Sequence, residues 1–136
     1  MTVANYDPQD VMLVFGGRTI TGFSDGTYIT AEKTDPKWTT HVGAQGEVVR
    51  ARNRSPIGTI TFTLKRTSPD LDYLIDLMNS NEVKECYLID RNDKQVTAGG
   101  REAWIAEFPS FGATAGTDIP DIEFKVEIAD FELRSA

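Results

Sequence analysis

Residues 43–81 read GAQGEVVRARNRSPIGTITFTLKRTSPDLDYLIDLMNSN. This stretch predicts a protruding β-hairpin over residues 43–67 that leads directly into a helix. In residues 59–65, threonine or lysine alternates with large apolar side chains, which is the period of a strand with one wet and one buried face. We therefore expect three side chains to point into the core: Ile60, Phe62 and Leu64.

The predicted turn of this hairpin, residues 50–58, is basic in an otherwise acidic protein. Its Asn, Ser, Pro and Gly residues favour a turn, and three arginines occupy alternate positions at its start: Arg50, Arg52 and Arg54. Three roles fit them: pairing with carboxylates of a partner subunit, a solvated tip, or contact with nucleic acid. The lack of interleaved aromatic side chains argues against the nucleic-acid role.

A helix over about residues 69–80 is indicated as clearly as the hairpin. Ser68 can cap it with its hydroxyl, Pro69 suits the first helical position, and nearby aspartates complement the positive end of the helix dipole. Apolar residues recur at i, i+3, i+4 and i+7 and form one stripe: Leu71, Leu74, Ile75 and Met78. This stripe needs a sheet to cover it.

The first third of the chain predicts strands separated by turns. An extended arm over residues 1–9 precedes a first hairpin, whose turn is supplied by Gly16 and Gly17. A third strand is expected over residues 27–33. The segment that follows, residues 34–42, has no clear periodicity and is expected to be irregular.

The chain after the helix predicts three more strands. Residues 83–90 carry apolar groups in both phases, which is typical of a strand covered on both sides. A glycine pair, Gly99 and Gly100, predicts a bulge or bend in the next strand. The last strand slips phase at Ala129 and Asp130, where a second bulge would keep both halves facing inward. The whole pattern predicts a mainly β fold, a β-sandwich or partly open β-barrel with one flanking helix.

The composition is that of one ordinary globular domain. The chain has 136 residues, of which 40% are hydrophobic and 26% charged, so it can bury a core but is too short for two domains. No apolar run approaches the ~20 residues that span a bilayer, so we expect no membrane insertion. No signal peptide is visible. A single cysteine, Cys86, excludes an internal disulfide and fits synthesis in a reducing cytoplasm.

The charge and the motifs exclude several classes of function. The net charge of −7 at pH 7 opposes tight binding of nucleic acid, because that affinity rests mostly on basic residues. His41 is the single histidine, and no second His or Cys stands at metal-ligand spacing. The chain has no G-x-S-x-G motif and no phosphate-binding glycine loop. We therefore expect a protein without enzymatic activity, metal or cofactor.

Two further features are candidates for contacts. Trp38 lies in the irregular segment, where an aromatic side chain either anchors the loop to its own core or contacts a partner. The wet faces of two predicted strands are either plain surface or the lining of a polar channel, and the residues alone favour plain surface. These faces carry Thr59, Thr61, Thr63, Glu123, Lys125 and Glu127.

Several short motifs follow one another along nearly the whole chain: YDPQDV at 6–11, ITGFSDGT at 20–27, VGAQGEV at 42–48, GTIT at 58–61 followed by TSP at 67–69, and EAWI at 102–105. In this order they resemble a family of small structural proteins, the tail tube proteins of contractile-tailed bacteriophages. None of the motifs is a catalytic signature, so the resemblance rests on their order.

The resemblance implies a single tail-tube-like domain over residues 1–136, related in fold to the inner-tube protein of type VI secretion. Such proteins form hexameric rings that stack into a hollow tube, and the lumen wall is a large β-barrel made by all six subunits. A sheath surrounds the tube, and DNA passes through it without specific binding. The implied partners are further copies, the tail sheath protein, and baseplate and tail terminator proteins. The implied location is the virion tail, after synthesis in the host bacterial cytoplasm.

Within that implication we assign two sets of candidate residues. We expect contacts between subunits at Arg50, Arg52, Arg54 and Trp38. We expect the six residues of the wet faces to line the lumen: Thr59, Thr61, Thr63, Glu123, Lys125 and Glu127. Two alternatives stay open: a tail terminator or baseplate adaptor of the same virion, and a monomeric binding β-sandwich. A tube subunit should form long polymers, a terminator should stop at one ring, and a binding module should remain a monomer.

Overall fold

A computed structural model describes residues 11–21, 23, 29–92, 95–107, 109 and 121–135. The predicted arm over residues 1–9 and the first two residues of the predicted third strand, Thr27 and Tyr28, lie outside this part. The described residues form ten strands and one helix, in the order β1 (Val11–Phe15), β2 (Arg18–Ile20), β3 (Ile29–Lys33), β4 (Trp38–Val42), β5 (Val48–Arg52), β6 (Gly58–Lys65), α1 (Leu71–Ser80), β7 (Lys84–Asp90), β8 (Val96–Ile105), β9 (Asp121–Ile128) and β10 (Glu132–Arg134).

One large sheet dominates the fold. It has eight strands in the order β2-β1-β7-β8-β9-β6-β3, with β10 paired to β8 beside that path, while β4 and β5 form a separate two-stranded sheet. The large sheet does not close, and β2 and β3 are its ends in the described part of the chain. Strands from before and after the helix, and the helix itself, bury side chains in a single core. The predicted mainly β, sandwich-like fold with one helix is therefore confirmed, without a closed barrel.

The pairing of β6 with β9 lies at the centre of this core. The two strands are antiparallel and in register from Gly58 opposite Ile128 to Lys65 opposite Asp121. Buried and half-buried residues alternate along the whole of β6, which confirms the inward direction predicted for its apolar side chains. The core side of the pair is formed by Ile60, Phe62, Leu64, Ile122, Phe124 and Val126.

Aromatic contacts join the two strands. The rings of Phe62 and Phe124 are stacked with their centroids 5.6 Å apart, and Phe23 meets Phe62 edge-on at 6.4 Å. Full burial of one large apolar side chain contributes about 1.5–3 kcal/mol. Because both phenylalanines are almost completely buried, this cluster holds the middle of the sheet together.

The predicted first hairpin is confirmed. β1 pairs with β2 through a two-residue turn in which Gly16 and Gly17 have φ angles of 62° and 84°. A tight turn with two positive φ angles matches the right-handed twist of the flanking strands, and glycine adopts it at the lowest cost.

The pairing predicted for residues 43–67 is wrong. β5 pairs with β4 over all five residues of each strand, and β6 pairs with β3 and β9 instead. The segment expected to be irregular, residues 34–42, therefore contains a strand. Every residue of β4 and β5 is exposed, so neither strand buries one face in the core. β4 shows no alternation of apolar and polar residues, and the alternation of residues 49–52 in β5 has no buried side.

The turn of the observed hairpin lies at residues 43–47. The N–H of Gly43 donates to the carbonyl of Glu47 at 2.8 Å, and Gly46 has a φ angle of 86°. After β5 the chain crosses to the large sheet through residues 53–57. Pro56 in this segment has no backbone N–H that could pair with a neighbouring strand. The three arginines of the predicted tip therefore lie in β5 and just after it, away from the turn.

Helix α1 begins at Leu71 rather than at Pro69, and its N-cap residue is Asp70 rather than Ser68. Its buried residues are Leu71, Leu74 and Leu77, whereas Met78 of the predicted stripe is only half-buried. The helix ends at Ser80, and its C-cap residue Asn81 adopts a left-handed conformation with a φ angle of 57° and donates its N–H to the carbonyl of Met78.

Asp70 does not cap the helix with its side chain, because its carboxylate binds the first hairpin. One oxygen accepts from Arg18 Nε at 2.6 Å, and the other accepts from the N–H and the hydroxyl of Thr21 at 2.7 and 3.0 Å. The Ser68 hydroxyl donates to the carbonyl of Thr21 at 2.6 Å. This partly buried network of hydrogen bonds joins the end of β2 to the start of the helix.

The predicted bulge lies next to the glycine pair and not at it. Gly99 and Gly100 pair regularly with Tyr87 and Cys86, and the register of β8 with β7 shifts just after them, where Arg101 and Glu102 lie against the single residue Glu85. Gly99 has a φ angle of 145°, and a Cβ atom there would overlap the carbonyl oxygen of Cys86. On one face of β7 Cys86 is fully buried, and on the other face Tyr87 is half-buried. The strand was predicted to be covered on both faces, and the second face is covered only in part.

The second predicted bulge is wrong. Ala129 and Asp130 form a turn between β9 and β10. The carboxylate of Asp130 accepts from the N–H groups of Arg101 and Glu102 at 3.2 and 3.1 Å. These hydrogen bonds, chiefly the one from Glu102, lower the pKa of Asp130 from its ordinary value. A turn replaces the bulge because β10 leaves β9 and pairs with β8.

We predict that Asp70→Ala lowers the free energy of unfolding by about 1–3 kcal/mol, since it leaves the N–H and the hydroxyl of Thr21 without their acceptor and removes the ion pair with the half-exposed Arg18. The matched control is Asp72→Ala, which removes an exposed carboxylate from the same helical turn and should cost no more than about 1 kcal/mol. Urea denaturation of both variants measures the difference. Equal losses would contradict the role assigned to Asp70.

Candidate assembly surfaces

The outer face of the β6–β9 pair brings together all six residues that were expected to share a lining. In the ladder, Thr59 lies opposite Glu127, Thr61 opposite Lys125, and Thr63 opposite Glu123. Residues opposite one another across a ladder project to the same side of the sheet, and the neighbours of these six are buried in the core. The six side chains therefore form one continuous polar surface.

This surface extends onto β3, which the sequence analysis did not include. Thr30 lies opposite Thr61, and Glu32 lies opposite Thr59. Both residues are exposed, while Ile29 and Ala31 between them pack against the core. The same alternation of apolar and polar residues that marked β6 was present in β3 and could have identified them.

The charge of this surface is mostly negative. Its cations are Lys125 and Lys65, the latter at the end of β6 in the same phase as the threonines. Lys125 lies 3.7 Å from a carboxylate oxygen of Glu107, and both of these side chains are largely solvent-exposed. Glu123, Glu127 and Glu32 add three carboxylates to the same side. Threonines, with carboxylates that outnumber the two lysines, make a surface that repels phosphate groups.

The second surface is the hairpin formed by β4 and β5. Its outer end is apolar and exposed, with Val42, Val48 and Val49 retaining 69%, 66% and 59% of their accessible surface. Val42 and Val48 face each other across the ladder next to the turn. Exposed apolar side chains that cluster are typical of a contact surface.

Trp38 and Arg50 are brought together on this hairpin. The guanidinium of Arg50 lies over the Trp38 ring, 4.2 Å from its centroid. Trp38 is 38% exposed and is absent from the core cluster, so the interpretation that it anchors its segment to the core is wrong. Arg52 lies opposite Trp38 at the base of the hairpin, and Arg54 follows β5.

The described residues contain no group of three or more His, Cys, Asp or Glu side chains that could hold a metal ion. His41 is exposed on β4, opposite Val49. Burial raises the pKa of the Cys86 thiol, which keeps it in the unreactive protonated form. In the described part of the chain, no helix is long and apolar enough to cross a membrane.

We predict that Trp38→Ala changes the free energy of unfolding of the monomer by no more than about 1 kcal/mol, the value of an exposed cation–π contact. Phe62→Ala should lower it by about 3–5 kcal/mol because it leaves a cavity in the core. Thermal or urea denaturation measures both. A loss at Trp38 as large as that at Phe62 would show that the hairpin supports the core.

The fold is shared with chains from solved contractile assemblies. A chain of the PVC sheath-tube complex of an extracellular contractile injection system has 18% identical residues and a TM-score of 0.66, over 97% of this chain and 93% of that chain. A chain of the sheath/tube terminator structure of such a system has 17% identity and a TM-score of 0.66, over 98% and 99%. At these identities the likeness shows a common fold.

Two further structures share the fold. A chain from the tube-terminating cap of the anti-feeding prophage has 13% identity and a TM-score of 0.66, over 100% of this chain and 95% of that chain. A chain from the virion of a native gene transfer agent has 16% identity and a TM-score of 0.63, over 96% and 99%. No protein-family model and no curated protein sequence matches the chain.

Proposed function

We propose that this chain is a structural subunit of a phage-type tail, and that it forms the inner tube as stacked hexameric rings. The observation that carries the proposal is the common fold over nearly the full length of both chains with components of sheath-tube and tube-terminating assemblies. The sheath protein, the baseplate and the terminator are its partners in this proposal, and the virion tail is its location.

The open sheet supports self-assembly. β2 and β3 each present one edge without a strand partner in the described part of the chain. An unpaired edge exposes backbone N–H and C=O groups that can pair with another chain. Because the two edges belong to different strands, pairing between copies is head-to-tail, and such contacts close into rings when the rotation between copies allows it.

The outer polar surface supports the role of a lumen wall. A channel that conducts DNA must not bind it, and the threonines and carboxylates on β6, β9 and β3 repel phosphate rather than attract it. In the proposed ring, this face points inward and the helix lies on the opposite side of the core.

A terminator that stops at a single ring is the second candidate. It is favoured by the common fold with chains from the terminator structure and the tube-terminating cap, whose TM-scores equal that of the sheath-tube chain. The two roles differ in whether rings of this chain stack on themselves.

Negative-stain electron microscopy of the purified chain tests the proposal. A tube subunit should form hollow tubes of constant diameter without any partner, and their number should rise with protein concentration. Isolated rings at every concentration would assign the terminator role instead. A monomer at all concentrations in sedimentation experiments would contradict both.

The hairpin arginines are proposed to contact neighbouring subunits. We predict that the triple change Arg50→Glu, Arg52→Glu, Arg54→Glu leaves the fold intact, because the hairpin is exposed along its whole length, but abolishes tubes or greatly shortens them at moderate salt. Each exposed ion pair contributes only about 0.2–1 kcal/mol, and the contacts are repeated in every subunit.

The matched control for this variant is Lys84→Glu, Arg91→Glu, Arg101→Glu, which makes the same change of net charge at exposed positions outside the hairpin. Circular dichroism checks the fold of both variants, and electron microscopy measures tube length. Tubes of normal length in the hairpin variant would leave its arginines as solvated residues, and equal shortening in the control would assign the effect to net charge.

The orientation of the sheet yields a separate prediction. In a cryo-EM structure of the assembled tube, Thr61 and Glu127 should lie on the lumen wall. Their position on the outer wall would contradict the assignment of the polar surface, even if the tube itself forms as proposed.

A further inference from the structure

A basic cleft of about 300 Å³ lies at the base of the β4–β5 hairpin. Its lining contains four cations and no carboxylate: Lys33, Lys37, Arg52, Asn53, Arg54 and Pro56. Two of these cations, Lys33 and Lys37, are distant in sequence from the arginines and become their neighbours only through the fold.

The backbone holds the cleft in shape. Lys33 is the last residue of β3, Lys37 precedes β4, and Arg52 ends β5. The N–H of Asn53 donates to the carbonyl of Lys37 at 2.9 Å, which ties the two strands of the hairpin together at the cleft. The Asn53 side-chain oxygen accepts from the N–H of Ser55 at 3.0 Å. This bond fixes the amide of Asn53.

The four cations have no anionic partner within the described part of the chain. The ion pairs formed there involve other basic residues, namely Arg18, Lys84, Lys125 and Arg134. Arg50, the remaining arginine of the hairpin, lies over Trp38 and does not line the cleft. Four like charges around one concavity repel one another, and an anion in the cleft would relieve this repulsion.

We propose that this cleft binds carboxylate side chains of a second copy of the chain. The proposal rests on the proposed self-assembly and adds to it a specific receptor site. Arginine fits a carboxylate with two parallel hydrogen bonds, and lysine adds a compact charge beside it. The chain carries 21 acidic residues and a net charge of −7, so its own copies are an abundant source of carboxylates while a polyanion is repelled by most of its surface.

The location of the cleft also favours a second copy. Lys33 ends β3, one of the two open edges of the large sheet. A copy that meets this edge brings its side chains to the cleft. Two copies of an acidic chain repel each other overall, and they attract each other only where a local basic surface meets carboxylates. The cleft therefore fixes the orientation in which a second copy can bind.

Zero-length cross-linking tests the proposal. Unlabelled and 15N-labelled full-length chains are mixed, assembled into tubes or rings and treated with a carbodiimide, which joins lysine amines to neighbouring carboxylates. Mass spectrometry should find Lys33 or Lys37 joined to an Asp or Glu in peptide pairs of mixed isotopic composition. The pair Lys125 and Glu107, 3.7 Å apart in one chain, is the internal control. Chymotrypsin can cut at the phenylalanines between these two residues, and the joined peptides should be isotopically unmixed.

Two variants separate charge from structure. The double variant Lys33→Gln, Lys37→Gln should need an at least severalfold higher protein concentration to assemble, and its assembly should depend less on salt concentration. The control double variant Lys65→Gln, Lys84→Gln should assemble like the parent. Lys33→Arg, Lys37→Arg keeps the charge and removes the reactive amines, so assembly should persist while the cross-links disappear.

Each outcome bears on the proposal. If the parent assembles but Lys33 and Lys37 give no mixed-isotope cross-links, or the glutamine variant assembles as readily as the parent, the cleft proposal is wrong while the proposed function stands. If calorimetry shows that the cleft of the monomer binds inorganic phosphate and the Lys33→Gln, Lys37→Gln variant does not, the site is one for phosphate and the proposal is overturned. If the parent remains a monomer, both proposals fail.

Discussion

The antiparallel pairing of β6 with β9 sets the position of nearly every other element. A shift of this register by one residue would turn the buried side chains of a strand outward and its polar ones inward. The stacked Phe62 and Phe124 rings and the aliphatic pairs beside them oppose such a shift. β3 then adds to the free side of β6, β8 adds to β9, and the first hairpin reaches the sheet through β7.

The same ladder creates the surface proposed to face DNA. Since each strand places alternate residues on opposite faces, burial of Ile60, Phe62 and Leu64 forces the three threonines between and beside them outward. Opposite them the same rule places Glu123, Lys125 and Glu127 on that face. Core and candidate lumen wall are thus two sides of one pairing, and the polar surface needs no structural element of its own.

The two ends of the open sheet are built differently. At the β2 end, the buried carboxylate of Asp70 ties the strand to the helix through Arg18 and Thr21. At the β3 end, the chain leaves the sheet for the exposed hairpin and forms the basic cleft between them. Unlike ends are what a head-to-tail contact between copies requires, since each interface then joins two different surfaces. The proposed contact has its specificity at the β3 end, where cations gather in an otherwise acidic chain.

Local sequence patterns correctly predicted those elements whose burial is periodic. The alternation in residues 59–65, the Gly16-Gly17 turn and the helical spacing of Leu71 and Leu74 all report a relation between neighbours in sequence, and the structure confirms each of them. The mainly β architecture follows from the number of such segments. The six residues of the polar face were identified in the same way, because their exposure is the counterpart of the buried positions.

The sequence did not predict which strands pair. β5 was assigned to β6 because the two are adjacent in the chain, but β6 pairs with β3 and β9, whose apolar side chains join its own in the core. Since β4 and β5 are fully exposed, no buried face reveals them as a hairpin. For Asp70 the sequence predicted only a favourable charge at the start of the helix, because its bonds to Arg18 and Thr21 span about fifty residues of chain. Lys33 and Lys37 likewise meet Arg52 and Arg54 only through contacts between residues distant in sequence. Side-chain period is a local property of the chain, whereas partners and clustered charges depend on long-range packing, which only the folded structure defines.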